Sequence, residues 1–183
     1  MIREKLILQE AASLHQQLAL TDRWVDVEAA INLNALRLDR VSTLPKGMRG
    51  HYDQVQGIIR VLGGLPDVEE RFACAHELGH HVLNHGDKSC FDVGLLGGSA
   101  PIEELDIAPN FEQEAHAFAR ELLLPRRLFR NDLLAGLSPN DLAPLYGVSV
   151  TAIWIQFTKM RLPAAHRKVS RRQPKGTPLN RKS

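Results

Sequence analysis

Residues 71 to 86, RFACAHELGHHVLNHG, hold four of the chain's eight histidines. His76 and His80 are four apart with Glu77 between them, the pattern H-E-x-x-H. On a helix, residues at that spacing share a face, with Cβ atoms about 5–6 Å apart. Two imidazole nitrogens then converge on one ion at about 2.0–2.1 Å each. Glu77 projects about 100° round the helix from His76, which suits it to take a proton from a water on the ion rather than to ligate. That is the chemistry of a zinc hydrolase. The opposite face carries Phe72, Ala75, Leu78, Gly79 and Val82, apolar or small, which fits a core.

A catalytic zinc keeps three protein ligands and one open position. The downstream stretch NFEQEAHAFARELLLP offers Glu112, Glu114 and His116. Helical geometry puts Glu114 with Ala117, Phe118 and Glu121, while Glu112 and His116 project to another side. Spacing does not choose between Glu114 and His116. His81 reads as a residue supporting the site or facing solvent, and His85 as one meeting the helix carbonyls in the last turn. Cys74 faces away from the metal side and reads as a small buried hydrophobe.

These side chains need two helices and a scaffold. Asp67, with Glu70 three residues on, predicts the N-cap of the histidine helix, which should run about five turns to Gly86. A second helix should start at Asn110 and stop at Pro125. Upstream, the pattern predicts a helix over residues 2 to 20, a short one in WVDVEAAINLN, a strand in ALRLDRVSTLP and a hairpin in MRGHYDQVQGIIRVLG. The strand from Gly57 to Val61 is one that an extended substrate could join by strand addition. Residues 87 to 108 are loop-like, and SPNDLAPLYGVSVTAIWIQFTKMRL suggests two short helices about a glycine turn. No internal repeat is present.

Composition restricts the class. The 183 residues are 44% hydrophobic and 24% charged, as in a single globular domain. No apolar run suits a membrane span, and the charged N-terminus lacks the pattern of a signal peptide. Two cysteines do not make a disulfide framework. A cytoplasmic location is expected. The net charge of +2 conceals seven Lys and Arg without an acid in residues 166–183, leaving 16 basic against 21 acidic residues elsewhere. That tail reads as disordered, with weak nucleic-acid contact as its one electrostatic opportunity.

RFACAHELGHHVLNH followed by EQEAHAFARELLLP resembles the ImmA/IrrE family of metallo-endopeptidases, and the resemblance extends over about residues 25 to 163 through MRGHYDQVQGIIRV. It implies that Glu114, the glutamate directly before alanine, is the third zinc ligand beside His76 and His80, with Glu77 as catalytic base. It also implies a zincin-like α+β fold and a regulatory protein as substrate, such as a helix-turn-helix repressor or an antitoxin. His116 stands where the family usually has Asn, and Asn84 where it often has His. NDLAPLYGVSVTAIWIQFTKMRL resembles the family's C-terminal segment, which reads as a helix-turn-helix. Its second helix, residues 149 to 158, carries no Lys or Arg, and Gln156 replaces the family's Arg. A packing role suits it better than groove reading.

The sequence thus predicts a zincin-like metallopeptidase domain over 1–165, with a small sheet, the histidine helix, the Glu-ligand helix and a helix-turn-helix-like pair over 138–162. The basic tail follows over 166–183. The expected function is zinc-dependent cleavage of a regulatory partner. The rival is a zinc-containing regulator that binds DNA or a repressor without cutting. His116, Tyr52 and Tyr146 are the candidates for a second oxyanion donor.

Overall fold

The computed structural model describes residues 2–45, 47–86 and 110–160. The expected loop over 87–108, Cys90 and the basic tail lie outside the described residues, as do the ends of the expected domain. What is described is α+β. Helices α1 (Glu4–Gln17) and α2 (Val27–Leu33) precede strands β1 (Arg37–Val41), β2 (Gly50–Asp53) and β3 (Ile58–Leu62). Then come α3 (Asp67–Val82), α4 (Asn110–Leu123), α5 (Arg126–Leu134), α6 (Pro139–Tyr146) and α7 (Val150–Lys159).

The sheet has the order β1-β3-β2, with β1 parallel and β2 antiparallel to β3. The expected hairpin is present, turned where Gln56 N–H donates to Asp53 Oδ1 at 3.0 Å and Gly57 takes a positive φ. Strand β3 is the central strand, hydrogen-bonded on both sides, so it has no edge to offer a substrate. Among the described residues, the free edge beside the hairpin belongs to β2. β3 is rich in Ile and Val with Ile58, Ile59 and Val61 buried, the pattern of a strand inside a sheet rather than at its rim.

Helix α3 crosses β2 and β3 on one side and α4 on the other. Pro66, not Asp67, holds its N-cap position, with its carbonyl accepting from Glu69 N–H and Glu70 N–H. Asp67 is the first helical residue, where Asp, Glu69 and Glu70 meet the positive end of the dipole. The expected capping box is absent because Glu70 reaches instead to Arg40 of β1 at 2.7 Å, and Glu69 to Arg49 at 2.7 Å. These pairs dock the start of the helix on the sheet.

The helix also ends a turn earlier than the sequence suggests. Asn84 adopts φ 53°, and the N–H groups of Asn84 and His85 turn back to the carbonyls of His81 and His80, each at 3.0 Å. That is a Schellman stop with Asn in its left-handed position. It folds His85 back under His80 instead of carrying it onward.

Gly79 explains how closely the two site helices approach. A Cβ there would stand 3.0 Å from Phe118 and 3.2 Å from the Cα of Ala115. With hydrogen in that place, α4 lies directly on α3. Phe118, Ala119 and Leu122 of α4 join Leu78, Ile59 and Val61 in one core, which α1 extends through Ile7, Ala11 and Leu14.

Helix α5 was not legible as a separate element. It buries Phe129 and Asp132, and Asp132 accepts hydrogen bonds from Tyr146 Oη at 2.7 Å and from the Arg23 guanidinium. Helices α6 and α7 follow as expected, each with a serine cap (Ser138, Ser149) and Gly147 in the left-handed turn between them. The Trp24 ring fills the space where a Gly147 side chain would stand, with the Arg71 guanidinium 3.8 Å above the same ring. The turn is thereby tied to α3.

Candidate metal centre

The two histidines of the motif converge as the spacing requires. His76 and His80 are each 1% exposed, and their Nε2 atoms lie 3.0 Å apart. The carboxylate that meets them belongs to Glu112. Its Oε2 is 3.1 Å from His76 Nε2 and 3.7 Å from His80 Nε2. Three donors held at about 2.0–2.1 Å around one tetrahedral ion stand roughly 3.3 Å from one another. The separations match that set, and all three residues are buried. Glu112 Oε1 is buried without a hydrogen-bond partner among the described residues. A buried carboxylate with an unused oxygen beside two imidazoles fits a divalent metal better than it fits a closed polar network.

Glu114 does not join them. Its Oε1 accepts from Arg3 N–H at 2.8 Å, and its Oε2 from the Arg3 guanidinium at 2.6 Å and from His85 Nε2 at 2.9 Å. The reason is rotational: two residues along a helix turn the side chain by about 200°. Glu112 and His116, four apart, share the face that meets α3, and both contact His76. Burial opposes the charge of both glutamates, and their hydrogen bonds outweigh it. His76 and His80 hold Glu112 far below the usual carboxylate range, and Arg3 with His85 holds Glu114 at about 2.

Each motif histidine is braced from behind by another histidine. His116 Nδ1 lies 2.6 Å from Nδ1 of His76, and His85 Nδ1 lies 3.0 Å from Nδ1 of His80. If Nε2 binds a metal, the proton of each ligand must sit on Nδ1 and be donated backward. His85 then accepts from His80 and donates from Nε2 to Glu114, which Arg3 anchors. A carboxylate orienting a metal-bound histidine is a common support; here one histidine is interposed. Burial lowers the proton affinity of His85 and, still more, of His116, keeping both neutral as these roles need. His85 is therefore part of the support of the site, not a cap on the helix carbonyls.

Glu77 is 0% exposed, and its carboxylate lies against β2. A Cβ on Gly50 would stand 2.6 Å from Glu77 Oε1 and 2.8 Å from its Cγ, so the missing side chain of Gly50 makes room for the Glu77 carboxylate. Two residues along the same strand face, Tyr52 Oη lies 2.7 Å from His81 Nδ1. Of the three oxyanion candidates, Tyr146 donates to Asp132 and His116 stands behind His76, both committed elsewhere. Tyr52, itself paired with His81, lies beside the histidine helix. Cys74 is buried, and burial pushes its thiol up to about 12, in keeping with an inert core residue.

Sequence reasoning passed over three supporting residues. Arg3 and Gly50 are far from the motifs in the chain, and nothing local marks them. Gly79 lies inside the motif, and its small size was legible without its purpose.

The family model of the IrrE N-terminal-like domain, a peptidase family (M78), matches residues 31–157. No curated protein matches the chain. Among solved structures, a Mycobacterium tuberculosis transcriptional regulator is similar with a TM-score of 0.59 at 14% identity, over 90% of this chain and 50% of that one. The likeness is one of fold, and this chain spans about half the length of that neighbour.

Proposed function

The chain belongs to the IrrE N-terminal-like domain family, and from that premise and its buried histidine helix we infer that it is a zinc-dependent metallo-endopeptidase. His76, His80 and Glu112 are the ligands, which moves the third position from Glu114 to Glu112. The observation that carries the reading is the meeting of Glu112 with both motif histidines while an intact Glu77 is held in a seat of its own. A purely structural metal site has no need of a base there.

Zinc, when bound, supplies a Lewis acid and an acidified water. Glu77 takes the proton of the attacking water and returns it to the leaving amine. Its burial keeps solvent from competing for that proton. Tyr52, with its hydroxyl on His81 of the histidine helix, is the candidate to assist a developing oxyanion, and β2 offers a sheet edge on which an extended peptide could align.

The substrate is a regulatory protein, such as a repressor or an antitoxin. The family supports a protein substrate, and the name of the similar structure, a transcriptional regulator, supports a regulatory setting. Helices α6 and α7 complete the peptidase by packing: Gln156 is 1% exposed and donates to Glu121 of α4 at 3.2 Å, so it does not face a groove. Among the described residues no helix is long and apolar enough to cross a membrane.

Glu77→Gln tests the function. It keeps the size and removes only the basicity, so the variant should hold zinc and bind its repressor or antitoxin while cleavage falls by about 10²–10⁴-fold. Survival of the biological effect in Glu77→Gln would show a binding protein instead.

A further inference from the structure

A cavity of about 510 Å³ opens between α1, α4 and α7, behind the candidate metal centre. Two buried polar groups line it, each with a buried nitrogen that has no hydrogen-bond partner among the described residues. Arg120 is 8% exposed, its Nε is buried without a partner, and it donates no hydrogen bond among the described residues. His116 is 3% exposed, with Nδ1 on His76 and Nε2 buried without a partner. The two are four residues apart on one face of α4. Burial pulls the Arg120 guanidinium down to about 10, still charged at neutral pH.

A buried charge without a partner is costly. Of the other charged side chains around the cavity, Glu121 relieves it only in part. Glu121 is held by Arg126 at 2.7 Å and by Gln156, and Glu4 and Lys159 are exposed residues at the rim. Arg120 is therefore the buried charge at depth that makes no hydrogen bond among the described residues. The walls beside it are aliphatic, with Ile7 and Ile155 buried and Leu8 and Met160 half-buried.

We propose that this cavity is a binding site for a small aliphatic carboxylate, its head on Arg120 and His116 and its chain along Ile7 and Ile155. A planar carboxylate matches the guanidinium fork, in a space of the size that small ligands occupy. The His116 half of the site rests on the metal reading: with Nε2 of His76 on zinc, His116 accepts at Nδ1 and keeps its own proton on Nε2, where it faces the ligand. The Arg120 half does not depend on it. The acid would lie one hydrogen bond from a zinc ligand.

The test is calorimetric titration of the full zinc-loaded chain with hexanoate, and with hexanol and inorganic phosphate as comparators. Hexanoate should bind saturably at about 1 mM or tighter, with hexanol and phosphate each weaker by about tenfold or more. The ring ¹⁵N signal of His116 Nε2 should move with occupancy. Arg120→Met should weaken hexanoate by about 10–100-fold while its thermal midpoint holds or rises, because an unpaired buried charge is gone. Should Arg120→Met not fold, Arg120→Lys serves: it keeps the charge, loses the fork and should bind about tenfold less tightly. Absence of hexanoate binding to wild type, equal binding by hexanol or phosphate, or undiminished binding by the Arg120 variants would overturn the proposal. Zinc content is measured alongside. A chain that holds zinc and ignores hexanoate loses this site alone; one that binds hexanoate through Arg120 without holding zinc loses the metal reading alone.

Discussion

Glu114 Oε2 and His85 Nε2 are 2.9 Å apart, and the other ring nitrogen of His85 stands 3.0 Å from His80. The glutamate two residues beyond Glu112 thus reaches His80 through a histidine, and Arg3 from the start of the chain holds it in place. On the proposed ligand set, one short helix supplies both the third ligand and the anchor of the support behind the second. Near neighbours in sequence, they have separate tasks because the helix turns them to different sides.

That division predicts a graded result from metal analysis. Glu112→Ala should lose zinc outright, as His76→Ala and His80→Ala should. Glu114→Ala should keep one zinc per chain but with affinity reduced by about 10–100-fold, the usual effect of losing a supporting partner. Equal loss in the two glutamate variants, or retention in Glu112→Ala, would return the third position to Glu114.

Close helix contact at Gly79 is a second requirement. Gly79→Ala would place a methyl 3.0 Å from Phe118 and against the backbone of Ala115. Helix propensity favours alanine by about 1 kcal/mol, but overpacking at a backbone contact costs about 1–3 kcal/mol. We expect net destabilisation, together with weaker zinc binding as α4 and its Glu112 move outward. Denaturant midpoints and zinc affinity measured on one preparation check both. A variant as stable as wild type, with full affinity, would show that the contact has slack.

Tyr146 is the place to separate stability from chemistry. It donates to Asp132, which also takes two bonds from Arg23, and it is fully buried. Tyr146→Phe should cost about 1–2 kcal/mol of stability and leave cleavage per folded molecule unchanged. Arg23 above all, with Tyr146, holds the Asp132 carboxyl below its ordinary range against the opposing effect of burial. A depressed folded pKa stabilises above the unfolded value of about 3.9. That contribution is lost as pH falls through the folded value. Urea midpoints between about pH 6 and pH 3 should therefore fall more steeply in wild type than in Asp132→Asn.

The parts of this molecule written in local periodicity were legible in its sequence. The H-E-x-x-H face, the hairpin around Asp53 and the serine-capped α6–α7 pair all depend on residues within a turn or two of each other. The meeting of Glu112 with both motif histidines did not depend on such neighbours alone. The helical arithmetic already set Glu112 and His116 on one side and Glu114 on another; which side faces α3 is decided by Gly79, Phe118 and Ala115 packing across the interface. Resemblance pointed to the glutamate before alanine, and the structure gives that residue to Arg3, a partner 111 positions away. The end of α3 is set locally, since Asn84 takes the left-handed stop that the sequence pattern places at Gly86.

Gly50 provides the sharpest test of how the base is held. It opens β2 where Glu77 crosses the strand, and hydrogen is the one side chain that leaves the carboxylate room, a Cβ standing 2.6 Å from Oε1. Its backbone pairs with Val61 in the sheet register, so the strand itself does not need glycine. Alanine there should keep the strand and the fold, because the conflict falls on one side-chain end that can swing away. The three atoms nearest that methyl all belong to Glu77, so His76, His80 and Glu112 should keep their places and zinc should bind at full stoichiometry. What should fail is proton transfer: a catalytic group displaced by about 1 Å loses roughly 10²-fold. Gly50→Ala should therefore resemble a weaker Glu77→Gln, with kcat reduced, metal retained and partner binding intact. Combining the two substitutions should add little to Glu77→Gln alone, since both act on one proton acceptor. If Gly50→Ala cleaves its partner at the wild-type rate, Glu77 does not work from this seat.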